Sequence, residues 1–178
     1  MVPLKDIVIK GTLNGTISTV SVQLGYVNSS EDQPIECTFD FPINSKSIVS
    51  SLSARIGDKL IEASIREKEE AKEKYDDAIA AGNTAILGEQ SDKKKNCISL
   101  KLGNLLPYQE ATINMVLIEE IEMIGSSFSY TLPASFYPDY NKHSTNKELK
   151  HTYALNYEYK IISGDKINYL SVPKAAQS

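Results

Sequence analysis

Side chains able to move protons, ligate metals or form covalent intermediates are sparse in this chain of 178 residues and are poorly grouped. Glu119, Glu120 and Glu122 are the one carboxylate cluster that falls on an expected strand, and neighbouring carboxylates can divide acid and base roles when their surroundings separate their pKa values. Strand alternation puts Glu120 and Glu122 on a polar face and Glu119 on an apolar one. A strand end that opens to water accounts for Glu119 more simply than a functional carboxyl of raised pKa. The only two histidines, His143 and His151, lie in or beside a polar stretch and are read as surface residues, because a histidine base or zinc site would have to be assembled there. Cys37 and Cys97 lack metal-ligand spacing and are too few for a disulfide framework, so they read as buried, unpaired thiols. No nucleophile elbow, phosphate-binding glycine loop, dinucleotide fingerprint, H-E-x-x-H or EF-hand pattern occurs. The sequence therefore assigns no catalytic, cofactor-binding or metal-ligating residue, and the expected class is non-enzymatic.

The elements that would position any site are mainly strands. Ile7 to Val27 reads as a hairpin turning at Asn14-Gly15, with Ile7, Ile9, Leu13, Ile17, Val20, Val22, Leu24 and Tyr26 as its apolar set. Ile35, Cys37, Phe39 and Phe41 alternate up to Pro42, which cannot donate to a ladder and ends the strand. Short strands are expected over 47–56 and 59–65 around Gly57-Asp58, then over 85–87, 97–102, 111–123 and 128–132, with a turn over Gly103-Asn104-Leu105-Leu106-Pro107. One stretch changes period. Residues 66–82 are rich in helix formers, and Ala71, Tyr75, Ala78 and Gly82 trace a narrow seam that lets a helix lie close to a sheet, with Gly82 suited to the C′ position. The polar stretch 142–150 reads as a connector, and 151–172 as a last hairpin turning at Gly164-Asp165. The fold class expected is an antiparallel β-sandwich or barrel-like domain with one amphipathic helix.

Composition agrees. With 41% hydrophobic and 24% charged residues the chain is globular, and a domain of this length needs no disulfide or metal for stability. No apolar run is long enough to cross a membrane. Residues 1–141 carry 13 basic against 20 acidic side chains and residues 142–178 carry 6 against 3. The one dense basic run, Lys93-Lys94-Lys95, is too isolated to mark a nucleic-acid stripe and reads as the tip of an exposed loop over 88–96. The start, Met1 to Asp6, lacks a secretory h-region, and with two unpaired thiols this gives a cytoplasmic expectation, with secretion the alternative if a signal lies upstream. The sequons at Asn14 and Asn28 then read as chance matches.

Several ordered blocks resemble the VIT domain, the module shared by inter-alpha-trypsin inhibitor heavy chains, vault poly(ADP-ribose) polymerase and intracellular proteins that join it to a von Willebrand factor A domain. Tyr26-Val27-Asn28 is similar to the family's Tyr-x-Asn, Pro34 to Pro42 to its Pro-Ile-Glu-x-x-aromatic-x-Phe-Pro, and Ile56-Gly57 to its Ile-Gly turn. Glu67-Lys68, Ala71, Tyr75, Ala78, Gly82 and Ala85 resemble the helix signature, Gly103-Asn104-Leu105-x-Pro107 the Gly-Asn turn, and Leu132-Pro133 with Tyr137-Pro138-x-Tyr140 the terminal blocks. Ile98, Leu117 and Asp139 depart from it conservatively. The resemblance implies a VIT domain over 2–141 and strands in 151–172 that lead toward, and flank, an A domain carrying a D-x-S-x-S metal site absent from these residues. It implies a protein-interaction or scaffold role, with that A domain among the partners. Candidate contact residues are Lys93, Lys94 and Lys95 on the loop and Glu69, Glu73 and Asp76 on the helix. A β-fold carrier of a small molecule or lipid, opened at Glu119, and a regulatory domain of a larger enzyme are the alternatives.

Overall fold

In the computed structural model, which describes residues 4–43, 46–62, 68–83, 85–90, 97–132 and 153–172, the hairpin signal is realised as β1 (Leu4–Asn14) and β2 (Ile17–Val27). Asn14 pairs with Ile17, so the two-residue turn is Gly15-Thr16, and Gly15 supplies its positive φ of 56°. β3 (Ile35–Pro42) ends at its proline, and β4 (Ser47–Ile56) turns through Gly57 into β5 (Lys59–Glu62), which is shorter than expected. Helix α1 (Lys68–Ala80) precedes β6 (Ala85–Gln90) and β7 (Cys97–Leu105). Next come β8 (Glu110–Glu120), a small ribbon of β9 (Glu122–Ile124) and β10 (Ser127–Ser129), and finally β11 (Ala154–Ile162).

These strands form a six-stranded sheet in the order β11-β1-β2-β8-β4-β5 and a three-stranded sheet in the order β3-β7-β6. Neither closes into a barrel. Their facing sides share one core: Ile7, Ile9, Val20, Val22 and Leu24 from the hairpin and Ile113, Met115 and Leu117 from β8 meet Phe41, Leu100, Leu102 and Leu105 of the smaller sheet. Alternating apolar positions on both sheets drive this, since each sheet can hide one face only against the other. The Tyr26 and Phe39 rings meet across the layers with centroids 4.4 Å apart. On the far side of the three-stranded sheet, Tyr75, Ala78 and Ile79 of α1 pack on Ala85 and Leu87.

Several expectations change. The strand expected over 111–123 breaks at Ile121, whose amide bonds to the Thr16 carbonyl at 2.7 Å, so Met123 leaves the apolar face and is 64% exposed on the ribbon. The turn expected over 103–107 starts later: Gly103 to Leu105 are part of β7, and the chain reverses at Leu106–Gln109, where the Gln109 amide bonds to the Leu106 carbonyl. Cys37 is half-buried, a free thiol at the edge of the core. Residues 151–172 do not form a hairpin. β11 instead pairs in parallel with β1, Ile7 opposite Leu155 through Leu13 opposite Ile161, and 163–172 hold no strand. Hydrogen bonding along β1 satisfies β11 on one side, and 163–172 do not pair with the other, which stays an open edge among the described residues.

Candidate functional site

The polar side chains that carry the motif blocks are spent on the fold. Asn28, 1% exposed, donates from Nδ2 to the carbonyls of Leu105 (2.9 Å) and Gln33 (3.2 Å), and its Oδ1 accepts from the Ser30 amide at 2.9 Å. Its own amide bonds to the Gln109 carbonyl and its carbonyl accepts from the Tyr108 amide. One residue thus ties the end of β2 to the approach to β3 and to the reversal after β7. A side chain so enclosed is no glycan acceptor. Tyr108, in that reversal, is held at a φ of 58°.

The helix is seated by a second group. The C-terminal end of α1 is a Schellman closure: the Gly82 amide bonds to the Ile79 carbonyl and the Asn83 amide to the Ala78 carbonyl, with Gly82 at a φ of 75°. Asn104 Nδ2 donates to the carbonyls of Ile79 (3.3 Å) and Asn83 (3.2 Å), so β7 caps the same end from outside. Beside it, a Cβ on Gly103 would overlap Ile79 Cδ1 and stand 2.6 Å from Tyr75 Oη. The absence of a side chain at Gly103 is what lets the helix approach. Tyr75 Oη donates to Glu36 Oε1 at 3.0 Å, and burial, reinforced by that carboxylate, pushes the phenol well above its ordinary pKa.

At the other end of the sandwich Glu119 does not open to water. It is 7% exposed, its carboxylate accepts from Ser47 Oγ, and its backbone carbonyl accepts from Ser18 Oγ at 3.3 Å. Tyr130 lies beside it, its ring 5.6 Å from that of Tyr159. The Tyr130 hydroxyl is buried without a hydrogen bond of good geometry, and burial, then the neighbouring Tyr159 and Glu119, hold its pKa far above the ordinary value. The cluster closes the core where the carrier reading needs a mouth. A depression lined by Val8, Ile9, Lys10, Asn156, Tyr157 and Glu158 lies over β1 and β11 on the surface, outside the core cluster that packs between the sheets.

Of the candidate contact residues, Glu73 and Asp76 are exposed on α1, one turn apart. Glu69 lies on the same helix by its backbone; its side chain, Lys93, Lys94 and Lys95 lie outside the described residues. The acidic and basic candidates are therefore not brought together here. His143 and His151 also lie outside them. Among the described residues no group of three His, Cys, Asp or Glu could hold a metal, and no helix is long and apolar enough to cross a membrane. Cys37 lies opposite Leu102 and Cys97 opposite Pro42, five steps along β3 and about 17 Å away at the strand rise, beyond disulfide reach.

The exposed apolar residues were not anticipated as a surface. β11 places Leu155, Tyr157, Tyr159 and Ile161 on the core-facing side of the large sheet, beyond the cover of the smaller one; Leu155 is 40%, Tyr157 48% and Ile161 39% exposed. The signal was the unbroken apolar alternation from Tyr153 to Ile161 in a strand with no sequence neighbour to pair with.

The sequence profile of the vault protein inter-alpha-trypsin domain (VIT) matches residues 4–117. The chain is 33% identical over 152 residues to protein mono-ADP-ribosyltransferase PARP4 of Homo sapiens, covering 85% of this chain and 9% of that protein. It is 33% identical over 140 residues to von Willebrand factor A domain-containing protein 5A of Rattus norvegicus, covering 78% and 17%, and 31% identical over 166 residues to a von Willebrand factor A domain-containing protein of Dictyostelium discoideum, covering 93% and 18%. The chain thus spans less than a fifth of the length of these relatives. Asn28, Tyr75, Gly82, Gly103 and Asn104, the residues of the motif blocks, are the ones that knit the two sheets and seat the helix, and on the profile match the chain belongs to the VIT domain family.

Proposed function

We propose that this VIT domain is a non-catalytic protein-interaction or scaffold module, working in the cytoplasm as part of a longer polypeptide whose von Willebrand factor A domain is one of its partners. The domain proper extends over 2–141, 142–150 is the connector, and 151–172 leads on toward that A domain. The observation that carries the reading is the use of its polar motif residues: each described one is committed to bonds inside the fold, which leaves surfaces rather than a reactive cluster to act. Relatives that are von Willebrand factor A domain-containing proteins, and of which this chain spans under a fifth, support the placing. Acidic Glu69, Glu73 and Asp76 and basic Lys93, Lys94 and Lys95 are the proposed contacts. The likeness to the mono-ADP-ribosyltransferase supports a second reading, a regulatory segment of an enzyme whose chemistry lies in other parts of the polypeptide.

The test is capture of the native polypeptide with an antibody to this chain, followed by peptide sequencing and chemical cross-linking. The reading expects a polypeptide several times longer, with a D-x-S-x-S segment and cross-links from it to this domain. A native polypeptide of about this length with no protein cross-linked to it would refute the reading.

A further inference from the structure

We propose that β11 is a homotypic docking edge, through which two copies of this chain pair antiparallel and join their six-stranded sheets. The inference rests on the reading of the domain as an interaction module, and names one partner for it. β11 is the last strand of its sheet, nine residues long, and among the described residues nothing pairs with its outer side. Natural edges are usually short, bulged or heavily charged, because a long open row of amides and carbonyls invites another strand. β11 is neither short nor bulged, and it carries only two charged side chains. Its core-side face presents Leu155, Tyr157 and Ile161, and its other face carries one acid and one base, Glu158 and Lys160, both exposed. Neither has an ion-pair partner among the described residues.

The occupant follows from the spacing of those two charges. In an antiparallel pair of β11 strands related by a two-fold axis at Tyr159, Glu158 of each copy stands opposite Lys160 of the other, and Tyr157 opposite Ile161. Both opposite-charge pairs form on one face while both apolar pairs form on the other. Moving the axis by one residue sets Glu158 against Glu158 or Lys160 against Lys160. One register alone is therefore complementary in charge and in apolar pairing, and it leaves the Tyr159 ring folded over Gly11, where a Cβ would collide with it. A single strand pair of this length is a small interface of the kind weak, transient complexes use, so the association expected is reversible and in the micromolar range.

Sedimentation equilibrium at low salt tests this on the 178-residue chain, its Glu158→Lys variant and the Glu158→Lys/Lys160→Glu double variant. The expected result is a reversible monomer–dimer equilibrium for the natural chain, weakened about tenfold or more in the single variant, where both cross-strand pairs become repulsive, and restored to within about threefold in the double variant. A natural chain that stays monomeric into the high micromolar range overturns the proposal, as does a dimer indifferent to the single change. Weakening that the double variant fails to reverse overturns it too. Because the readout is self-association, its failure is distinct from absence of the A-domain cross-links described above.

Discussion

Replacing Asn28 by Ala tests whether a family motif residue is a structural joint. The side chain makes three hydrogen bonds, to the Leu105 and Gln33 carbonyls and from the Ser30 amide, and is 1% exposed. Water can re-form the two partly exposed bonds, each worth about 1 kcal/mol net, but the Leu105 carbonyl lies in the core, where a lost partner costs about 1–3 kcal/mol. The sum is about 3–5 kcal/mol, a large share of the ~5–15 kcal/mol that holds a domain together, and for a chain of this size it lowers Tm by about 10 °C. Denaturant unfolding should show the midpoint falling with an unchanged slope. Asn28→Asp sharpens the test, since it keeps the acceptor for Ser30 but turns a carboxylate oxygen toward two carbonyls. Its folded pKa is then raised above the unfolded value, so the variant is most unstable at neutral pH and recovers part of the loss as acidification through that pKa restores a donor. An Asn28→Ala variant within about 0.5 kcal/mol of the natural chain would refute the reasoning.

Other changes read the remaining joints. Gly103→Ala should loosen α1, because the new methyl collides with Ile79 and stands 2.6 Å from Tyr75 Oη, costing about 1–3 kcal/mol and raising amide exchange along the helix before the sheets are affected. Tyr75 and Tyr130 have folded pKa values raised by burial above the ordinary phenol value of 10.0, so the stability each contributes is complete below pH 10 and is lost as pH climbs from there toward the folded value; the natural chain should therefore weaken above pH 10, and Tyr75→Phe or Tyr130→Phe should flatten that loss. Both cysteines should titrate as free thiols after unfolding without reductant, and in the folded chain Cys37 should react slowly, its pKa raised by burial. Recovery of fewer than two thiols would contradict the ladder geometry.

Much of the fold was legible because its elements are set by local chemistry. Period-two alternation marked β1, β2, β3 and β8, glycines marked the turns at Gly15 and Gly57, and Gly82 marked the end of α1. What escaped depends on long-range pairing. Alternation identified β11 as a strand, but the choice of β1 as a parallel neighbour lies in burial of Ile7 and Ile9 across 148 positions of sequence, and no local signal distinguishes it from a hairpin with 167–172. Glu119 was misplaced for the same reason: a carboxylate on an apolar face looks like an opening until Ser47, from a different strand, is seen to donate to it. Gly103-Asn104 has the composition of a turn, yet serves a helix from inside a strand, because small size and a side-chain donor are useful in both settings. The exposed apolar face of β11 was least legible, since exposure of Leu155, Tyr157 and Ile161 depends on what packs over them in space and not on their own neighbours in sequence.

We propose that this VIT domain acts through its surface on protein partners. Hydrogen exchange on the dilute chain, compared with the same segment inside the native polypeptide, tests it most directly. Added protection is expected in exposed elements alone, with the core strands β2, β7 and β8 unchanged. Identical exchange in every peptide would contradict it.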